Sequence, residues 1–455
     1  MLQFELTQDF LHQLEELIDA GDKKKVGELI QPLHHVDIAE ILNELDTDRS
    51  QFVFLLLDNE KAGDVLADID ESERTKFLKS FPAETIAKRF IDNMETDDAA
   101  DIIGSMSDEQ RDEVLSHIDD VEQAGDIVDL LHYDEDSAGG LMAKELVVVN
   151  ENWTVAMCLR ELGRQAENID EIYNVFVVDD DERLKGRLSL KKMILSPTAA
   201  KISNLYYKDI ISVRTDEPAA SVANIMQKYD LVAIPVVDTI GRLVGRITID
   251  DVVDVIREEA EKDYQLMSGI SQDVDSTDSI WAHTKARLPW LILALFGGMV
   301  SAYMILQYEA EIALFPVTAM FIPVITAMGG NVGIQASAII VQGLASNSLR
   351  LKSGFKNIVR DLGSAFLNAT VCSAIIFGLT QLFGLENLAM PITVAISLFI
   401  VILFASIFGT AFPLLLNKLK IDPALATGPF ITMTNDIIGL NIYLITGRII
   451  LRLFV

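Results

Sequence analysis

The chain has 455 residues, half of them apolar, with 37 Lys/Arg against 68 Asp/Glu and a formal charge of −31. Eight of those basic and six of those acidic residues lie from Leu288 onward, which leaves 29 and 62 before it, a balance of −33. An acidic part is thus joined to a nearly neutral, apolar one; this excludes nucleic acid, which selects basic patches, and suits metal cations or plain solubility.

The first thirty residues carry acids throughout and no apolar core, so no signal peptide is expected and the N-terminal part is expected in the cytoplasm. Residues 1–135 read as helices. Ile38-Ala39-Glu40-Ile41-Leu42 sets an apolar pattern that returns in Ala62-Gly63-Asp64-Val65-Leu66, Ala99-Ala100-Asp101-Ile102-Ile103 and Ala124-Gly125-Asp126-Ile127-Val128. Such a return predicts stacked helix pairs in a small superhelix. Near residue 140 the texture changes to short β-branched runs, Leu146–Val149, Val175–Val178 and Ile234–Val237, alternating with helical stretches at Ala156–Ala166 and Ala219–Tyr229. Val175-Phe-Val-Val-Asp179 with Leu184-Lys-Gly-Arg-Leu-Ser189 matches Ile234-Pro-Val-Val-Asp238 with Leu243-Val-Gly-Arg-Ile-Thr248, about 59 residues later. This duplication over 138–256 resembles a pair of CBS modules, α/β units that regulate enzymes, channels and transporters. An acidic helical stretch, Asp250–Met267, follows.

Five segments have the length and apolarity to span a bilayer, which takes about 20 residues: Leu288–Leu306, the uncharged run between Glu311 and Arg350, Leu362–Leu385, Asn387–Asn417, and Pro423–Gly447. Lys285 and Arg287 precede the first. Arg350, Lys352, Lys356 and Arg360 fill the second loop, Lys418 and Lys420 the fourth, while Glu309, Glu311 and Glu386 mark the other two. Basic loops face inward, so the N-terminus is expected inside and the C-terminus outside, with Arg448 and Arg452 running against the rule. Cys158 and Cys372, one in each half, exclude a disulfide framework or a Cys-based metal site and fit a reducing compartment.

Asp436 is the acid inside the fifth segment, at a cost of about 2.5–3.5 kcal/mol at the centre of a bilayer. It lies near mid-membrane if the span is regular, and no basic residue inside another span can pair with it. A carboxylate facing water and a cation would offset that cost. Gly329-Gly330-Asn331-Val332-Gly333-Ile334-Gln335 combines glycines, which let helices approach or open, with amide oxygens; Gly428-Pro429 is a second place for a helix to break.

Taken in order, Tyr133-Asp-Glu-Asp-Ser-Ala-Gly-Gly-Leu-Met142, the run at 329–335, and Asp422-Pro423, Gly428-Pro429 and Asp436 resemble the MgtE Mg²⁺ channels over the whole chain. The resemblance implies a multidomain fold: an α-helical superhelical N domain (1–135), an α/β CBS-domain pair (136–200 and 201–257), a connecting plug helix (250–275) and a five-helix transmembrane domain (286–455). It implies a homodimer in the lipid of the cytoplasmic membrane, with Mg²⁺ as substrate and regulator. Its single pore would be lined by the second and fifth spans, including Gly329, Gly330, Asn331, Gly428, Pro429 and Thr432, with Asp436 as the pore carboxylate. Asp97 and Asp101 match the family's N-domain Mg²⁺ acids, Asp230 its second-CBS acid, and Asp251, Asp254, Glu259 and Asp263 its plug acids.

The chain departs from the family pattern at Lys262-Asp263, where an acidic pair is usual, at Ala219 and Ala220, where acids are common, and at Gln342, where an Arg is usual. Lys191-Lys192 stands where nucleotide-binding CBS modules hold ribose with an Asp, so ATP remains an open ligand, with lysines suited to its phosphates. The expectation is a Mg²⁺-gated Mg²⁺ channel; the rival is an ion-coupled divalent-cation transporter in which Asp436 carries a proton or Na⁺. No nucleophile–base set supports an enzyme.

Overall fold

The computed structural model describes residues 4–69, 71–165, 172–271, 274, 279–345, 354–382, 388–426 and 428–453. The chain folds as two compact units, Met1–Arg257 and Glu258–Val455.

The first unit begins with short helices from Gln8–Asp19 to Val121–Leu130. Asp22, Asp46, Asp58 and Asp120 are N-caps whose carboxylates accept backbone N–H groups of the following turn, so part of the acid excess terminates helices. The four repeated patterns fall in the helices His35–Glu44, Asn59–Asp68, Thr96–Gly104 and Val121–Leu130. Ile38, Leu42, Val65, Leu66, Ile102, Ile103 and Ile127 from them are buried in one core. Phe54 meets Phe77 and Phe90 edge to face, at 4.6 and 5.1 Å between centroids, within the same core.

Two three-stranded sheets follow. The first has β1 (Val147–Asn150), β2 (Val175–Val178) and β3 (Leu184–Leu188); the second has β4 (Val213–Arg214), β5 (Ala233–Val237) and β6 (Leu243–Thr248). In each the middle strand pairs parallel to the first and antiparallel to the last. Both carry a register irregularity at matching places, Val177/Val178 and Val236/Val237, so the duplication extends to the bulge.

The helix Ile249–Met267 runs on from β6. The second unit then holds five long helices: Ile280–Gln307, Thr318–Ala345, Gly354–Leu382, Ala389–Lys418 and Pro429–Leu453. Four are long and apolar enough to cross a membrane; the fifth has the length, 25 residues, and is interrupted by Asn435 and Asp436. The fourth packs on the second, third and fifth and is the most enclosed. The stretch from Glu311 to Arg350 is not a single span: a short helix Glu309–Leu314 ends before Pro316, and the long helix begins at Thr318. Arg350, Lys352 and Glu386, used above for orientation, lie outside the described residues.

Candidate ion pathway and metal-sensing acids

Asp436 projects from the fifth long helix into a cavity of about 420 Å³. Thr432 and Met433 line it from the same helix, Gly297, Gly298 and Ser301 from the first, and Ile334 from the second. Met267 and Ser268, at the end of the connecting helix, and Gly428 and Pro429 also line it. Two expectations change here. The helix starts at Pro429, where a missing N–H is harmless, so Gly428-Pro429 is its entry and not a break within it. Asp436 is then only seven residues in, about 10 Å from that end at 1.5 Å per residue, and not at the helix midpoint.

The glycine run is also continuous helix, within Thr318–Ala345. Its glycines serve close approach. A Cβ on Gly329 would lie 3.1 Å from Val401 Cγ1, and one on Gly330 would lie 3.3 Å from Thr432 Cγ2 and 3.7 Å from Asp436 Oδ1. Asn331 is exposed on the outer face of the helix. A Cβ on Gly333 would overlap the Asn435 Nδ2.

The connecting helix ends in a tight seat. Gly269 has φ +79°, and a Cβ there would come within 2.6 Å of Pro429 Cγ. A Cβ on Gly428 would be 2.6 Å from the Met267 carbonyl oxygen. Ser271 donates both its backbone N–H (3.0 Å) and its hydroxyl (2.9 Å) to the Ala286 carbonyl, which fixes the turn to the first long helix. On the connecting helix, Glu259 pairs with Lys262 at 3.7 Å, so the lysine that replaces an acid also engages a neighbouring carboxylate. Burial, then Asp422 and Glu259, raise the Asp263 pKa.

In the first unit the acids gather where the N domain meets the CBS pair. Asp97 is 9% exposed. Burial first, then Asp251, Asp98, Glu95 and Glu145, hold its carboxyl well above the usual range. Asp98, which sequence reasoning missed, is pushed from 3.8 to about 7 by burial and then by Asp251, Asp101, Glu95 and Asp68. Asp251 is raised by burial although Thr248 donates its N–H (3.0 Å) and hydroxyl (2.7 Å) to it. Asp254 is raised by burial, with Arg257 opposing and Asp250 and Asp68 adding. Within this cluster Arg246 reaches Glu95 at 3.0 Å. Asp97, Asp98, Asp101 and Asp251 thus form one neighbourhood. Asp230 instead ends the helix Ala219–Tyr229 in a left-handed conformation, φ +51°, and is exposed. Among the described residues no three His, Cys, Asp or Glu side chains stand at ready-made metal-ligand spacing.

A polar cavity of about 410 Å³ opens beside β3 of the first CBS module, lined by Tyr173, Asn174, Arg187, Ser189, Lys191 and Tyr207. Lys192 Nζ sits 4.5 Å over the Tyr207 ring. Asp361 is a further carboxylate that sequence reasoning passed over. It accepts the hydroxyls of Ser406 (2.7 Å) and Thr410 (2.6 Å) and so ties the third long helix to the fourth. In a sequence this acidic, nothing marks which carboxylates end up enclosed.

The comparisons match this layout. A family model described as MgtE, divalent cation transporter, matches residues 322–446; the MgtE intracellular N domain matches 33–136, and the CBS domain matches 138–196 and 202–258. The protein named Magnesium transporter MgtE of Thermus thermophilus is 32% identical over 450 residues, 96% of this chain and 98% of that one. That of Bacillus subtilis is 30% identical over 429 residues, 94% of each chain. A crystal structure described as the cytosolic domain of the Mg²⁺ channel MgtE in complex with ATP aligns at 33% identity with a TM-score of 0.50, covering 54% of this chain and 99% of that one. With an N domain, a CBS pair and an apolar helical region in the same order, and that identity over nearly the whole length, the chain belongs to the MgtE family of divalent cation transporters.

Proposed function

We propose that this chain is a Mg²⁺ channel of the cytoplasmic membrane, with its acidic N-terminal unit inside, and that Mg²⁺ bound to that unit closes it. The observation that carries the reading is the Asp436 carboxylate in a 420 Å³ cavity whose wall includes the end of the connecting helix. Mg²⁺ sheds its water reluctantly, so a cavity of this size with one carboxylate and the Thr432 and Ser301 hydroxyls suits an ion that keeps most of its shell. One chain offers a single Asp436; a two-fold axis supplies a second, which supports a homodimer.

The sensor is the acid neighbourhood of Asp97, Asp98, Asp101 and Asp251, joined by Asp254, with Asp230, Glu259 and Asp263 as further carboxylates the ion can recruit. Crowded, mutually repelling carboxylates favour a cation among them. Two unit charges about 4 Å apart repel by roughly 4 kcal/mol at an effective dielectric of about 20. Moving a gate from 1:99 to 99:1 takes about 5.5 kcal/mol of differential binding, so a few bridged pairs suffice. The cytosolic domain solved in complex with ATP supports a nucleotide ligand, and the cavity with Arg187, Lys191 and Tyr207 in the first CBS module has the charge and the ring for it.

Single-channel recording of the purified protein in planar bilayers tests the reading. Discrete Mg²⁺ conductances that disappear as Mg²⁺ rises on the side of the N-terminal unit are expected. Flux without conductance steps, driven by a proton or Na⁺ gradient, would replace the channel with a coupled transporter.

A further inference from the structure

Asn435, beside the pore carboxylate, is 1% exposed, and among the described residues neither its Oδ1 nor its Nδ2 has a hydrogen-bond partner. A buried amide left unmet is costly and is rarely retained without reason. Its surroundings explain why nothing reaches it. The side chain lies in the seam of the second, fourth and fifth long helices, which close on one another at glycines. Gly333 has room for no Cβ, because Asn435 Nδ2 and, at 2.8 Å, Ile431 Cγ2 occupy the space. A Cβ on Gly409 would meet the Gly333 carbonyl oxygen at 2.5 Å, and one on Gly439 would meet Val401 Cγ1 at 3.3 Å. Asp436, the next residue, points instead to the cavity, since neighbours on a helix diverge by about 100°. The close approach at these glycines leaves the amide facing its neighbours without a protein group to meet it.

We propose that Asn435 is a positioning residue of the pore: its unmet carboxamide destabilises the packed seam, and water satisfies it when the second, fourth and fifth helices part around the ion that Asp436 faces. The inference rests on the pore reading above and adds what biases that pore toward opening. An apolar side chain of the same branching would remove the penalty from the packed state alone and hold the seam shut.

The test uses the full-length protein in detergent and in liposomes loaded with a Mg²⁺-sensitive dye. Asn435→Leu is expected to melt higher than the parent and to pass Mg²⁺ at least tenfold more slowly, a bias of about 1.4 kcal/mol. Asn435→Ser, small enough to admit water and still polar, is expected to keep flux within about threefold, a difference under 1 kcal/mol. Parental flux in the Leu variant overturns the proposal. So does a Leu variant that melts below the parent, because the amide would then be satisfied where it is. If the parent itself passes no Mg²⁺, the pore reading fails, while the melting comparison still decides whether Asn435 is unmet in the packed seam.

Discussion

Asp436 shows what a single residue in an apolar helix can reveal. Its presence there was readable because the surrounding sequence is uncharged; its place along the helix was not, because that depends on where Pro429 starts it. Asp436→Ala should fold and assemble yet lose at least about 90% of Mg²⁺ flux into liposomes, the equivalent of one 1.4 kcal/mol contact or more; normal uptake would remove it from the pathway. The acids of the N-terminal unit behave differently. The resemblance named Asp97 and Asp251, and the fold sets Asp98 and Glu95 beside them, a proximity between distant stretches of chain that the sequence does not mark. Their pH dependence has a definite sign. Asp98 is raised from 3.8 to about 7, so its contribution to stability is complete below about pH 3.8 and is lost as pH climbs to about 7. Without Mg²⁺, hydrogen-exchange protection of Thr96–Gly104, corrected for intrinsic rates, should fall between pH 5 and pH 7.5. Asp98→Asn should flatten that decline, and so should millimolar Mg²⁺.

The elements were read well where period and composition agree. The duplicated strands appear with one topology and one bulge position, and the four apolar repeats of the N domain all land on buried helix faces. At proline and glycine the sequence left alternatives open, because their effect depends on neighbours; of approach or opening, the glycine run serves approach. Pro316 ends a short helix ahead of the second long one, Pro323 is carried inside that long helix, and the glycines 329–333 leave it unbroken. The seat of Gly269 on Pro429 leaves no sequence signal, because a lone Gly-Ile-Ser after a helix is an ordinary exit. It has a mechanical consequence. Gly269→Ala combines a left-handed backbone, costing about 1 kcal/mol or more, with a Cβ 2.6 Å from Pro429 Cγ. The connecting helix should then lift from its seat, and conductance should persist at Mg²⁺ levels that close the parent. Unchanged closure in bilayer recordings would separate the seat from the gate.

For the whole molecule, order along the chain was the most legible property, since charge, repeats and apolar runs change at the same boundaries. The number of chains in one pathway came only from the resemblance, which implies a homodimer, and the proposed two-fold axis carries its own test. A dimer of about twice 50.3 kDa should be found in mild detergent, and dilution to monomers should abolish conductance. Monomers that still conduct would sink the two-fold pathway. The acid excess predicts a second bulk property: raising ionic strength with a monovalent salt should imitate Mg²⁺ only weakly in protecting the N-terminal unit from protease. Diffuse screening acts over about 8–10 Å at 0.1–0.15 M, whereas a bridging ion acts at contact.

The ion pairs at the far end of the fifth helix were described by the sequence only as an exception to a charge rule. Arg448 and Arg452 both reach Glu311, at 3.3 and 3.6 Å, from a helix whose other end begins at Pro429. Held there and packed along its length against the first, second and fourth long helices, the helix can tilt only as far as those neighbours give way. Measured from Arg448, Pro429 is nineteen residues away and Asp436 twelve, so any tilt displaces the entry of the helix about one and a half times as far as the carboxylate. Such a tilt would deliver a push on the Pro429 end to Asp436 as a smaller displacement. Cutting that hold with Glu311→Gln should leave the protein folded, because each exposed pair contributes only about 0.2–1 kcal/mol, but should blur this scaling, seen as noisier, less uniform open levels at unchanged Mg²⁺.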